Sequence, residues 1–131
     1  MTRQKILLAE RDVELLPILA LHLRNEEYEV RCADTIAVAL SAALLETPDL
    51  MVLNVHMPEA DGVDVRAFLD HADRSKIPVI CLAGEEQLRR RDRIRVEDLN
   101  NVAVIHKPVA TSELLQSVKT TLDEARRQRH T

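Results

Sequence analysis

The sequence predicts an α/β domain, a three-layer αβα arrangement in which helices cover both faces of a five-stranded parallel sheet. Two observations carry this. Short apolar runs such as Leu50-Met51-Val52-Leu53 and Ile77-Pro78-Val79-Ile80-Cys81-Leu82 lack polar alternation, as strands do when both faces of their sheet are buried. Stretches with apolar residues at helical spacing separate them, and such alternation implies right-handed crossovers in a parallel sheet. At 131 residues the chain makes one domain, large enough to bury a core without staples.

Lys5 to Ala9 (KILLA) is the first strand. After Glu10-Arg11-Asp12, apolar residues at Val13, Leu16, Ala20 and Leu23 mark a helix running to Asn25. Pro17 falls inside it and, lacking an N–H, should bend or delay the first turn. Tyr28 to Ala33 (YEVRCA) alternates enough to be an edge strand. Asp34 or Thr35 can cap an Ala/Leu-rich helix from Ile36 to Glu46, which Pro48 stops. The strand of Leu50–Leu53 follows, then a third helix from Val63 to about Ala72 with Val65, Phe68 and Leu69 inward. Ile77 to Leu82 ends at Ala83-Gly84. A polar fourth helix spans roughly 85–98 and carries Arg89, Arg90, Arg91, Arg93 and Arg95. Val102 to His106 is the fifth strand. Thr111 or Ser112 begins a last helix with Leu114, Leu115, Val118, Leu122 and Ala125 on one face. The domain is expected over residues 1–125, with 126–131 a frayed tail or the start of a linker.

Composition excludes several classes. With 46% hydrophobic and 31% charged residues, the chain is a folded, soluble type rather than a disordered one. A net charge of −4 gives no electrostatic case for nucleic acid or an anionic membrane as partner. No apolar run approaches the ~20 residues a membrane span needs. Residues 1–5 lead straight into a strand, so no signal peptide is expected and the location reads as cytoplasmic.

The chain is organised around Pro48 to Gly62, PDLMVLNVHMPEADG. A buried strand gives way at once to Asn54, His56, Glu59 and Asp61, with Pro58 stiffening the loop and Gly62 permitting a tight turn. Open α/β sheets place their sites at such carboxyl ends of strands. This stretch resembles the receiver domains of response regulators, where an apolar strand ends in a phosphorylated Asp followed by a loop much like Val55–Gly62. The resemblance covers Lys5 to about Ala125 and implies the CheY-like, flavodoxin-type strand order 2-1-3-4-5. With that order Cys32 and Cys81 lie three strands apart at ~4.8 Å per strand. That exceeds the ~7 Å reach of a disulfide, so both read as small buried hydrophobes in a reducing cytosol.

Carried over position by position, the resemblance implies a degenerate site. The phosphoacceptor position is Asn54. The two acidic positions after strand 1, which in receivers help hold Mg²⁺, read Glu10 and Arg11; the Ser/Thr position after strand 4 is Ala83; the aromatic position on strand 5 is Val104. Lys107-Pro108, with its expected cis peptide, is intact. An Asn amide is neutral and its nitrogen lone pair is delocalised, so Asn54 cannot be the nucleophile that phosphoryl transfer requires. Glu10, Arg11, Asn54 and Lys107 carry a net charge of +1, or zero with Asp12, whereas hard divalent cations want several oxygens and negative charge. At best Glu10 would be a weak metal ligand, and no cofactor is expected.

Plainer readings stand beside these. Lys107 is either a structural bridge to Glu10 or an active group. Arg11 either fills the metal position or swings into solvent. His56 has no second His or Cys near it by spacing, so it is not read as a metal ligand. The arginines of 85–98 lie among Asp92, Glu85, Glu86, Glu97 and Asp98 and form a solvated face or a partner surface. The leading expectation is a non-enzymatic, atypical receiver of two-component signalling. It would contact a protein partner or output domain, histidine-kinase-related or a second copy, through the fourth helix, fifth strand and last helix. A phosphorylatable receiver using Asp12, Asp61 or Asp64 is the alternative. A flavodoxin-like small-molecule binder is weaker still, since two glycines and no Gly-rich loop leave no phosphate cradle.

Overall fold

The computed structural model describes residues 2–57, 65–84 and 102–129. Pro58, Gly62, Asp61, Asp64 and the arginine-bearing stretch 85–98 lie outside the described residues. In chain order the elements are β1 (Lys5–Ala9), α1 (Leu15–Asn25), β2 (Glu29–Ala33), α2 (Ile36–Leu45), β3 (Leu50–Asn54), α3 (Val65–Arg74), β4 (Val79–Ala83), β5 (Val102–His106) and α4 (Thr111–Arg129).

All neighbouring strands pair in parallel, in the order β2-β1-β3-β4-β5, as expected. β3 and β4 are buried along their whole length, matching their unbroken apolar sequence, while β2 at the edge alternates. Successive strand residues go to opposite layers. Ile6, Leu8, Leu50, Val52, Ile80 and Leu82 pack with Leu19 and Leu23 of α1 and Leu114, Val118 and Leu122 of α4. Leu7, Ala9, Met51, Leu53, Val79 and Cys81 pack with Ile36, Ala39 and Ala43 of α2 and Phe68, Leu69 and Ala72 of α3. Leu, Ile, Val and Ala thus fill both layers, with Phe68 the one aromatic in the core.

Three expectations are corrected. Val13 does not join the inward stripe of α1 but is 73% exposed. The cause is the way the helix starts. Asp12 Oδ1 accepts from the Glu14 and Leu15 N–H groups at 2.9 and 3.1 Å, and Leu16 N–H donates to Asp12 O at 2.9 Å. Pro17 has no N–H for the next bond, so that first turn stands alone and the regular helix begins at Leu15. Leu19, Ala20 and Leu23 are its buried residues. Secondly, the expected tail at 126–131 is helical as far as Arg129, one unbroken continuation of α4. Thirdly, Cys32 is only half-buried; Arg24 Nη2 lies 4.0 Å from its Sγ and donates to Val30 O at 2.9 Å, covering part of the β2 edge. Cys81 is buried, and burial pushes its thiol up to about 12. Both cysteines are free.

Local chemistry sets the remaining ends. Thr35 caps α2, its hydroxyl accepting from Val38 N–H at 3.1 Å. α1 and α3 close with Glu27 and Lys76 in the left-handed region (φ 68° and 57°), a conformation that costs a non-glycine residue about 1 kcal/mol. Each is followed by a backbone bond to the preceding turn, Tyr28 N to Leu23 O and Ile77 N to Ala72 O.

Candidate functional site

The parallel register brings the site together. Ala9 is level with Leu53, so the next residues, Glu10 and Asn54, emerge side by side at the carboxyl end of the sheet. On the far side, Ala83 pairs with His106 and Lys107 N–H donates to Ala83 O at 2.9 Å, which returns Lys107 to the same edge. The Lys107–Pro108 peptide is cis, as expected.

At the centre is a carboxylate withdrawn from water. Glu10 has 0% exposure and Asn54 has 3%; these are the buried polar residues of the described chain. Asn54 Nδ2 donates to Glu10 Oε1 at 2.6 Å, and Asp12 N–H donates to the same oxygen at 3.2 Å. Asn54 Oδ1 accepts from His56 N–H at 2.9 Å. The amide orientation is therefore fixed on both sides, since a carboxylate only accepts and a backbone N–H only donates. Glu10 Oε2 has no hydrogen-bond donor. Its countercharge is Lys107 Nζ at 3.6 Å, on a side chain 30% exposed, an ion pair longer than a hydrogen bond.

Of the other predicted positions, Ala83 is buried and offers no hydroxyl, and Val104 is 36% exposed on β5. Arg11 is exposed: it takes the solvent, and the expectation that it fills the metal position does not hold. The His56 side chain is exposed, and only its N–H enters the site. Asp12, counted in the charge of the pocket, is committed to α1. Its bonds from Leu15 and Glu14, with the nearby positive charges of Lys107 and Arg11, hold its carboxyl below the usual range.

The donor set of the described residues does not fit a hard divalent cation. Among the described residues Glu10 is the one buried carboxylate; its Oε1 is occupied by two donors, and its Oε2 faces an ammonium. Among the described residues no group of three or more His, Cys, Asp or Glu could hold a metal ion. Such a cation requires several free oxygens.

Comparison with known proteins agrees with this architecture. The model of the response regulator receiver domain matches residues 6–119. The chain belongs to the response-regulator receiver family. The transcriptional regulatory proteins PdtaR and PrrA of Mycobacterium tuberculosis are each 31% identical to it, over 118 and 121 residues. Those alignments cover 88% and 92% of this receiver but 55% and 51% of the two regulators, so the chain spans about half the length of the curated relatives it matches. A CheY-like receiver domain protein from Methanospirillum hungatei shares the fold with a TM-score of 0.80 at 23% identity, over 97% of this chain and 99% of that one. No helix among the described residues of the receiver is long and apolar enough to cross a membrane.

The direct Asn54–Glu10 bond was not foreseen from the sequence. Its signal was available: an uncharged donor, Asn, at one strand end and a single carboxylate at the neighbouring one.

Proposed function

We propose that this domain is a pseudo-receiver: a non-enzymatic signalling module that works by protein–protein contact, without Asp phosphorylation and without Mg²⁺. The observation that carries this reading is the 2.6 Å bond from Asn54 Nδ2 to Glu10 Oε1. An Asp at 54 in this geometry would set two carboxylates against each other, which requires a proton or a cation between them. Asn54 removes that requirement and removes the nucleophile at the same time. Lys107 supplies the remaining positive charge from within the chain.

The parts that would couple a phosphoryl group to the far surface are also missing, with Ala83 and Val104 in place of a hydroxyl and an aromatic ring. A ligand shifts a conformational equilibrium only through differential contacts with two states, so a largely fixed conformation follows. Of the alternative acceptors, Asp12 is spent on the α1 cap, and Asp61 and Asp64 lie outside the described residues. Contact with a partner is supported by apolar residues exposed on α1 and just before it, Val13 at 73%, Ile18 at 51% and Leu21 at 57%. The partner would be an output domain, a histidine-kinase-related protein or a second copy, in the cytoplasm. Of the surface first expected for it, β5 and α4 are described, while the 85–98 arginines lie outside the described residues.

The test is incubation with a small-molecule phosphodonor and Mg²⁺, read by intact mass, with a thermal melt in Mg²⁺ alongside. No phosphoryl increment and no shift of the melt are expected, because a ligand far below its Kd adds nothing to stability. Stoichiometric phosphorylation, or a Mg²⁺-dependent rise lost in Glu10→Ala, would overturn the reading.

A further inference from the structure

We propose that this receiver self-associates through α2, as an antiparallel, two-fold pair with α2 of a second copy of the chain. α2 reads IAVALSAALL and contains no charged residue. A helix that is apolar all round belongs in an interior, yet only one side of this one is covered. Ile36, Ala39 and Ala43 are buried against the sheet, whereas Val38, Leu44 and Leu45 are 48%, 64% and 83% exposed. Val38, Ser41, Ala42 and Leu45 line an open groove with Arg31 on its rim. Their spacing, i, i+3, i+4 and i+7, is the stripe a helix presents to another helix.

The size pattern of that stripe names the occupant. It runs large, small, small, large, and reads the same from either end. A two-fold axis between Ser41 and Ala42 sets Val38 against the partner's Leu45, and Ser41 against the partner's Ala42. That is the self-complementarity an isologous contact needs, and the small central residues let the backbones approach. The stripe carries no charge, so two copies do not repel. Arg31 contacts Glu46 at 3.4 Å, just past the carboxyl end of α2, and Asp34 is exposed just before its amino end. Antiparallel pairing brings each arginine towards the aspartate of the other copy. None of this depends on whether the Asn54 site accepts a phosphoryl group.

Sedimentation of the chain over a concentration series should show a reversible monomer–dimer equilibrium. Val38→Glu and Leu45→Lys should each weaken self-association about tenfold or more, with the melting transition kept. An equimolar mixture of the two variants should recover the dimer, because the introduced carboxylate and ammonium then face each other across the axis. Should either variant lose its melting transition, Ser41→Arg, at an exposed helical position, replaces it and should likewise yield monomers. A wild-type chain that stays monomeric, variants that associate like wild type, or a mixture that stays monomeric would overturn the proposal. So would a dimer dissolved by Ile18→Glu on α1 and untouched by the α2 changes, which would place the contact on the opposite side of the sheet.

Discussion

β1 carries a polar cluster at each end, and the two are built on opposite principles. At its amino end, Lys5 Nζ lies 2.6 Å from Glu46 Oε1, with Arg31 adding a 3.4 Å contact, and all three side chains are 35–52% exposed. At its carboxyl end, Glu10 is fully buried, its nearest donor is a neutral amide, and its only countercharge among the described residues stands at 3.6 Å. By distance alone the first cluster is the stronger pair. By environment the order reverses: an exposed pair exchanges contacts with water at little net gain, whereas a buried carboxylate that loses a partner has nothing to replace it. Burial, more than ion-pair length, therefore marks where a substitution will be felt.

The largest test of that contrast is Asn54→Asp. It changes one atom group and turns the 2.6 Å donor–acceptor contact into a contact of like charges. At neutral pH the variant should lose about 3 kcal/mol in urea unfolding. Two carboxyls in one buried site raise one pKa above its unfolded value of about 4. The loss should therefore be absent below the unfolded value and grow as pH rises through the folded one. Wild-type stability at neutral pH would show that Glu10 and Asn54 are not in direct contact. The same variant should stay unphosphorylated by a small phosphodonor, since the second acidic position is still Arg11 and Ala83 still lacks a hydroxyl.

Lys107→Met comes next. It keeps the length and apolar stem of the side chain while deleting the positive charge that stands 3.6 Å from Glu10 Oε2. Because Lys107 is 30% exposed, water screens part of the interaction, and a loss of about 1–2 kcal/mol is expected rather than the full cost of breaking a buried pair. If chemical denaturation shows no change, Oε2 is already neutralised by another group and the carboxyl-end cluster resembles the exposed one more closely than its burial suggests.

Much of this contrast was legible in the sequence. Unbroken apolar runs gave β3 and β4, and alternation in β2 gave its edge position. The strand-end motif at 54–62 pointed to the family, and with it to Glu10, Asn54 and Lys107. What the sequence did not show was how these side chains would pair. The Asn54–Glu10 bond depends on the β1–β3 register, and Arg11 could turn inward or outward without any change in pattern. Val13 fitted a helical stripe because the missing N–H of Pro17 shifts the regular helix by two residues, a local effect that periodicity does not record. The exposed side of α2 was equally silent, since a helix that is apolar at nearly every position has no polar face to reveal where solvent lies.

The smallest expected effect is Glu46→Gln, and it sharpens the comparison from the other end. The side-chain bond to Lys5 and its charge hold the Glu46 carboxyl below its ordinary range, with Arg31 adding to the effect. The same partner, through the same hydrogen bond and charge, pushes Lys5 up. A depressed carboxyl adds stability above its unfolded pKa and loses it as pH falls through the folded one; a raised ammonium adds stability below its unfolded pKa and loses it as pH climbs through the folded one. The contribution of this pair should thus form a plateau across neutral pH with an edge on the acid side and another on the alkaline side. Because both groups stand in water, the plateau should be shallow and should flatten further in high salt, where exposed charges are screened. Melting of wild type and Glu46→Gln across that range, in low and high salt, gives the answer directly. Near-coincident curves at neutral pH, set beside a clear loss for Asn54→Asp, are the expected result. A loss from Glu46→Gln as large as that from Asn54→Asp would mean that the short exposed pair, not the buried carboxylate, anchors β1.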